Sequence, residues 1–127
     1  MSKESSLKNL ASERAVLAGL VQHGVDCLVD IEILIDEEVF SLDHNKILFK
    51  CLADALSKND SIGFADILSS AKSLGLNEYV ERPDVMKHAN GIINTPIHLE
   101  NVRSHAEKIR RLQFARNLQN QLRDIYR

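Results

Sequence analysis

The stretch IHLENVRSHAEKIRRLQFARNLQNQLRDIYR, Ile97 to Arg127, holds neither glycine nor proline and decides how the rest is read. Its apolar residues Leu99, Val102, Ala106, Ile109, Leu112, Ala115, Leu118, Leu122 and Ile125 follow one another at steps of three or four. On a 3.6-residue period this spacing predicts one long helix with a continuous apolar stripe. At 1.5 Å per residue the helix would run ~46 Å, whereas a compact chain of this size has a radius of gyration of ~14 Å. The helix is therefore expected to protrude from its own body and to carry its stripe to a partner. That expectation favours an assembly module, or a piece of a larger protein, over a self-contained enzyme.

The chain has 127 residues, 44 % of them hydrophobic, enough for one domain with its own core. Charge is divided along it. Residues 1–96 hold nine Lys and Arg against fifteen Asp and Glu, and residues 97–127 hold seven against three. The net charge of −2 thus hides an acidic head and a basic tail. Cys27 and Cys51 form no C-x-x-C pair and read as buried free thiols. No stretch has the length and apolarity of a bilayer span or a secretory leader, so no membrane association and a cytoplasmic location are expected.

Helical stripes separated by short breaks fill the remainder, and neither alternating β-branched runs nor hairpin dipeptides interrupt them. The fold expected is all-α: a compact head of about five short helices followed by the long helix. Residues 1–11 read as a flexible N-terminal segment with Met1–Ser6 frayed, 12–96 as the head, and 97–127 as the basic amphipathic helix. Within the head, Ser12 is the expected N-cap of a first helix stopped by Gly24, and a second helix starts near Asp26. A third, behind an Asp43 cap, carries Ile47, Leu48, Cys51, Leu52, Ala55 and Leu56 and is expected to be the central core helix. A fourth runs from Phe64 to a stop at Gly75, and a fifth follows Pro83 with Asp84 as cap. The Asn94-Thr95-Pro96 turn launches the long helix.

Several chemistries are excluded or disfavoured. No glycine-rich phosphate loop with its lysine is present, so P-loop nucleotide hydrolysis cannot run on this chain. His98 with Glu100, and His105 with Glu107, are two residues apart and diverge by ~200° around a helix, which reads as surface histidines rather than metal ligands. Asp36, Glu37, Glu38 and Asp43 beside His44 lack a matched nucleophile and read as caps and turns. Arg103, Lys108, Arg110, Arg111, Arg116 and Arg123 could meet phosphates. The acidic head and a tail with only Phe114 and Tyr126 as aromatics favour the flanks of a helix-helix seam instead.

The order of these segments resembles the N-terminal domain of DnaB-type replicative DNA helicases, from Ser12 to about Leu118. Ser12-Glu13-Arg14-Ala15-Val16-Leu17-Ala18-Gly19-Leu20 is similar to the family's opening acidic-x-Ala-Val-Leu-Gly segment. Phe40 with Lys46-Ile47-Leu48-Phe49, then Ser61-Ile62-Gly63-Phe64 ahead of a helix ending in Gly75, follow in the family's order. Thr95-Pro96 and Asn101-Val102-x-x-His105-Ala106-x-x-Ile109-Arg110 are similar to its Thr-Pro turn and the helix after it. Asn45 stands where the family often has His, prolines near Asp43 and Phe64 are missing, and Gly63 replaces an acid. These departures fit a divergent member, such as one encoded by a phage or plasmid.

The resemblance implies a domain without catalysis or cofactors of its own. It implies a head followed by a hairpin of two long helices, through which neighbouring subunits pair as the collar of a hexameric ring, with primase and helicase loader as further partners. ATP, Mg²⁺ and most DNA contacts would belong to a RecA-like motor domain following Arg127, and the second hairpin helix would be incomplete here. Ile109, Leu112, Leu118, Leu122 and Ile125 are the seam residues expected, with Arg110, Arg111 and Arg116 pairing across it. The alternatives are a small nucleic-acid-binding protein using the basic helix and a free-standing helicase-associated factor.

Overall fold

The computed structural model describes residues 7–125, and within them the protein is all-α, with seven α-helices and no strand. The segment Met1–Ser6 and Tyr126, both singled out above, lie outside the described residues. Helix α1 spans Leu10–His23, α2 Val25–Ile31, α3 Asp43–Lys58, α4 Phe64–Ser73, α5 Asn77–Val80, α6 Pro83–Ile93 and α7 Leu99–Ile125. A single 3₁₀ turn, Glu37–Val39, bridges α2 to α3 among the described residues.

Helix α1, rather than α3, is the centre of the head. Its residues Ala15 to Leu20 are buried without interruption, because a run that is apolar all round can satisfy itself only when enclosed on every side. Helices α2, α3, α6 and α7 pack around it. The amphipathic α3 contributes one face, with Leu48, Cys51, Leu52, Ala55 and Leu56 inward and Phe40 from the preceding loop fully buried beneath it. The Phe40 ring lies 5.3 Å from that of Phe49.

The helix starts differ from the local reading. Asn9 caps α1, its Oδ1 accepting the Ser12 N–H at 2.9 Å, and Ser12 lies inside the helix. Asp43 and Asp84 fall within the first turns of α3 and α6, with Leu42 and Arg82 at the cap positions, while Pro83 fills N1. The short α5 was not anticipated. Gly24 ends α1 at φ 61°, ψ −137°, and its amide bonds the Leu20 carbonyl at 3.0 Å. A side chain there would also collide with the Asp60 carbonyl, which accepts the Val25 N–H at 3.0 Å.

Candidate interaction surface

Helix α7 runs antiparallel to α1, as the order of their contacts shows. At its start the His23 ring nitrogen Nε2 lies 2.8 Å from the Ile97 carbonyl, and Gln22 bonds the Thr95 carbonyl and the Ile97 N–H. One turn on, Val102 packs against Gly19, where a Cβ would come within 2.6 Å of Val102 Cγ2. The missing side chain is what allows the two helices to approach so closely. Ser12 Oγ then meets His105 Nδ1 at 2.9 Å, so His105 is a half-buried docking residue rather than a surface histidine. Finally Arg116 donates to the Leu7 carbonyl at 2.8 Å and the Val39 carbonyl at 3.2 Å.

The apolar residues of α7 do not form one stripe. Val102, Ala106 and Ile109 are buried against the head. From Ile109 the row advances by three residues three times, through Leu112 and Ala115 to Leu118, and each step falls ~60° short of a turn. It therefore swings ~180° around the axis. The side that carried Ile109 continues as Gln113, Arg116, Asn120 and Arg123, whereas Leu118, Leu122 and Ile125 emerge on the opposite side, joined there by Phe114. These four are 58, 46, 71 and 66 % exposed.

This geometry corrects part of the expected seam. Ile109 is 1 % exposed and belongs to the head's own core, and Leu112 is half-buried on the flank. Arg116 is engaged by the backbone of the head, and Arg110 bonds Gln113 and stands 3.7 Å from Asp36, so neither is held for a partner. Arg103 likewise donates to the Asp30 carbonyl at 2.7 Å. Arg111 remains on the outer side, in line with Leu118. Phe114, missed because it stands off the three-and-four ladder, adds its ring to the outer face beneath the Arg110 guanidinium, 5.2 Å from its centroid. With Arg103, Arg110 and Arg116 taken up intramolecularly, the basic helix presents less charge to phosphates than its composition suggests.

The acidic cluster near His44 divides into local pairs. Glu37 takes Lys50 at 3.0 Å, Glu38 takes Lys46 at 3.6 Å, and Asp36 accepts the Glu38 N–H. His44 joins the Tyr79 hydroxyl at 2.5 Å and Asp84 at 3.4 Å. Behind it lies a polar chain that crosses the core. Glu13, 1 % exposed, accepts Ser41 N–H at 3.0 Å, Ser41 Oγ at 2.5 Å and Asn45 Nδ2 at 3.0 Å. Asn45 Oδ1 in turn accepts from His88 Nε2 at 2.7 Å, which places the proton of a neutral His88 on that nitrogen. No buried side-chain N or O among the described residues lacks a partner.

Burial first, then the neighbouring His44 and Arg14, hold the His88 imidazole below its ordinary value of 6.5, against a smaller opposing pull from Glu13. The folded state thus takes up the His88 proton less readily than the unfolded chain. Its contribution is complete above pH ~6.5 and is lost as pH falls through the lower folded value. Urea unfolding at pH 7.5 and 5.5 is expected to show a stability loss in acid that is smaller in His88→Gln. Equal losses in the two proteins would dismiss His88 as the group responsible.

Nothing in this arrangement assembles a nucleophile, a base and an orienting group. The buried Cys27 and Cys51 thiols are pushed up to about 12 and about 11 by burial, with Asp30 and Asp54 adding to it, which makes them packing residues. Among the described residues no group of three His, Cys, Asp or Glu could hold a metal, and no helix is long and apolar enough to cross a membrane. A family model described as DnaB-like helicase N terminal domain matches residues 5–111. No curated protein and no solved structure matches the chain.

Proposed function

Since the chain belongs to the DnaB-like helicase N-terminal domain family, we propose that it works as the non-catalytic collar domain of a replicative helicase, pairing subunits and receiving primase or loader. The observation that carries this reading is the outer face of α7, where Phe114, Leu118, Leu122 and Ile125 stand uncovered and turned away from the head. Each such side chain gains ~1.5–3 kcal/mol on full burial, so covering four that are about half to two-thirds exposed is worth on the order of 5 kcal/mol per copy. Two copies burying this face together would gain on the order of 10 kcal/mol, comparable with the ~4–15 kcal/mol cost of association. Pairing through α7 alone should therefore be reversible and concentration-dependent, and firm only within a larger ring.

The head offers a second, chemically different surface. Between Ala15 and Asn45 the chain holds seven Asp and Glu and no Lys or Arg. Asp30, Asp36, Glu37 and Glu38 already meet Arg103, Arg110, Lys50 and Lys46, which leaves the exposed Asp26, Glu32 and Asp43 as the acids that a basic docking element of a primase or loader would meet. Hydrolysis of ATP with Mg²⁺, and strand separation, belong to a separate motor domain.

Sedimentation across a concentration series tests the pairing. Leu118→Asp with Leu122→Asp is expected to leave only monomer at concentrations where the unaltered chain self-associates, with the helical content of the head unchanged. An unchanged oligomer would refute the α7 seam.

A further inference from the structure

A polar cleft opens where the segment before α1 meets the distal part of α7. It has two lobes that share Lys8, Arg116 and Asn120. One, of about 170 Å³, continues to Gln119 and Arg123. The other, of about 220 Å³, reaches Glu38, Ser41 and Lys46. Four basic side chains thus converge from the segment before α1, from α3 and from α7, with Glu38 as the one acid in the lining. Lys46 holds that acid at 3.6 Å. The ion pairs among the described residues include none of Lys8, Arg116 and Arg123.

Arg116 is held differently from its neighbours on α7. Arg103 stands 3.7 Å from the Asp30 carboxylate and Arg110 3.7 Å from that of Asp36, so each has a counter-charge. The half-buried Arg116 donates instead to the Leu7 and Val39 carbonyls. Neutral acceptors fix the guanidinium without cancelling its charge, and two bonds do not exhaust its five N–H donors. Like charges gathered in one cleft repel each other, and an entering anion turns that repulsion into attraction.

The walls say what kind of anion. Both lobes are smaller than the ~300–1,000 Å³ of a pocket that encloses a drug-sized molecule. Phe40, the one aromatic residue in the lining, is fully buried and offers no ring to a base. A compact group rich in oxygen fits, with the planar forks of Arg116 and Arg123 matched to its oxygen pairs and the Gln119 and Asn120 amides as further donors.

We infer that the cleft binds phosphate, as adjacent phosphate groups lying across Arg116 between the two lobes, presented by a free polyphosphate or by a nucleic-acid strand. Such a ligand would tie Lys8, ahead of α1, to the distal arm. Arg116, Asn120 and Arg123 follow the side of α7 opposite Leu118 and Leu122, so pairing through the outer face leaves the cleft open and this site stands apart from the pairing role.

Calorimetric titration with inorganic pyrophosphate tests the site. A Kd of ~0.1–1 mM is expected at low salt, rising as salt is added. Lys8→Gln with Arg123→Gln, both at exposed positions, is expected to raise that Kd about tenfold or more, with circular dichroism and sedimentation unchanged. Lys72→Gln with Lys87→Gln removes the same charge from exposed positions on α4 and α6 and should leave the Kd within about twofold. A short oligothymidylate titrated in parallel separates the sources. Binding tighter than that of pyrophosphate, and lost in Lys8→Gln with Arg123→Gln, identifies a strand, and weaker or absent binding identifies a free polyphosphate. Equal affinities of the two double variants, or no uptake of either probe at low salt, would overturn the inference.

Discussion

Glu13→Ala is expected to lower the stability of the domain by about 3–5 kcal/mol. The carboxyl group is buried under α1 and accepts three hydrogen bonds, from two groups of Ser41 and one of Asn45. Alanine leaves the buried Asn45 amide and the two half-buried Ser41 donors without their acceptor, and each unsatisfied group costs ~1–3 kcal/mol, less at Ser41 where water can reach. The disturbance continues to His88, because Asn45 is held between them. For a domain of this size the loss corresponds to a fall in Tm of roughly 10–20 °C. Glu13→Gln should cost less than half as much, since its amide oxygen can still accept from Ser41 and its NH₂ can be matched if the Asn45 amide turns over and His88 moves its proton to Nδ1, so that Nε2 accepts. Thermal unfolding of the two variants decides the point, and a shift of under ~3 °C for Glu13→Ala would show that the chain from Glu13 to His88 does not hold the head together.

The second large effect falls on a glycine. Gly24→Ala places a Cβ at φ 61°, in a region that side chains avoid, and drives it into the backbone carbonyl of Asp60. The conformational strain and the forced movement of the loop after α3 together should cost about 2–5 kcal/mol. Gly75 supplies the control. It also has a positive φ, 74°, but nothing lies within 4 Å of the position a Cβ would take. Gly75→Ala should therefore cost only the ~1–2 kcal/mol of a left-handed residue. Chemical denaturation of both variants measures the difference, and equal losses would mean that the Gly24–Asp60 approach relaxes without cost.

Much of the fold was legible from periodicity. The order of helices, the stops at Gly24 and Gly75, the turn before Pro96 and the long helix all follow from local rules, and the all-α class with them. What was misread required knowledge of distant residues. Ser12 has the chemistry of a cap, yet Asn9 performs that role and Ser12 is drawn to His105, ninety-three positions away. Helix α3 has the clearer amphipathic pattern, which marks a helix with one face in water, while the less patterned α1 is the one enclosed on every side. Glu13 stands between Ser12 and Arg14, so nothing local marks it as a buried carboxyl, and its partners Ser41, Asn45 and, through Asn45, His88 come from elsewhere in the chain.

The candidate surface was legible in part and for a definite reason. Counting steps of three and four found Leu118, Leu122 and Ile125, but a sum of short steps also rotates the row, and that rotation moved Ile109 to one side of α7 and Leu118 to the other. Phe114 was invisible to the count because it begins the second row instead of continuing the first. Arg110 and Arg116 could not be told from Arg111 by composition, since only the docked head distinguishes a guanidinium over its own backbone carbonyls from one facing outward.

The change of side along α7 has a mechanical meaning. Up to Ile109 the helix is held by buried Val102, Ala106 and Ile109 with polar contacts at His105 and Arg103 beside them, whereas past it the grip on the head rests on Arg116 to two carbonyls and Arg110 to Asp36. The distal arm is thus a lever whose fulcrum is made of screened, renegotiable bonds and whose working end is greasy. Added salt is expected to screen the Arg110–Asp36 pair while leaving the apolar contacts of Val102, Ala106 and Ile109 in place.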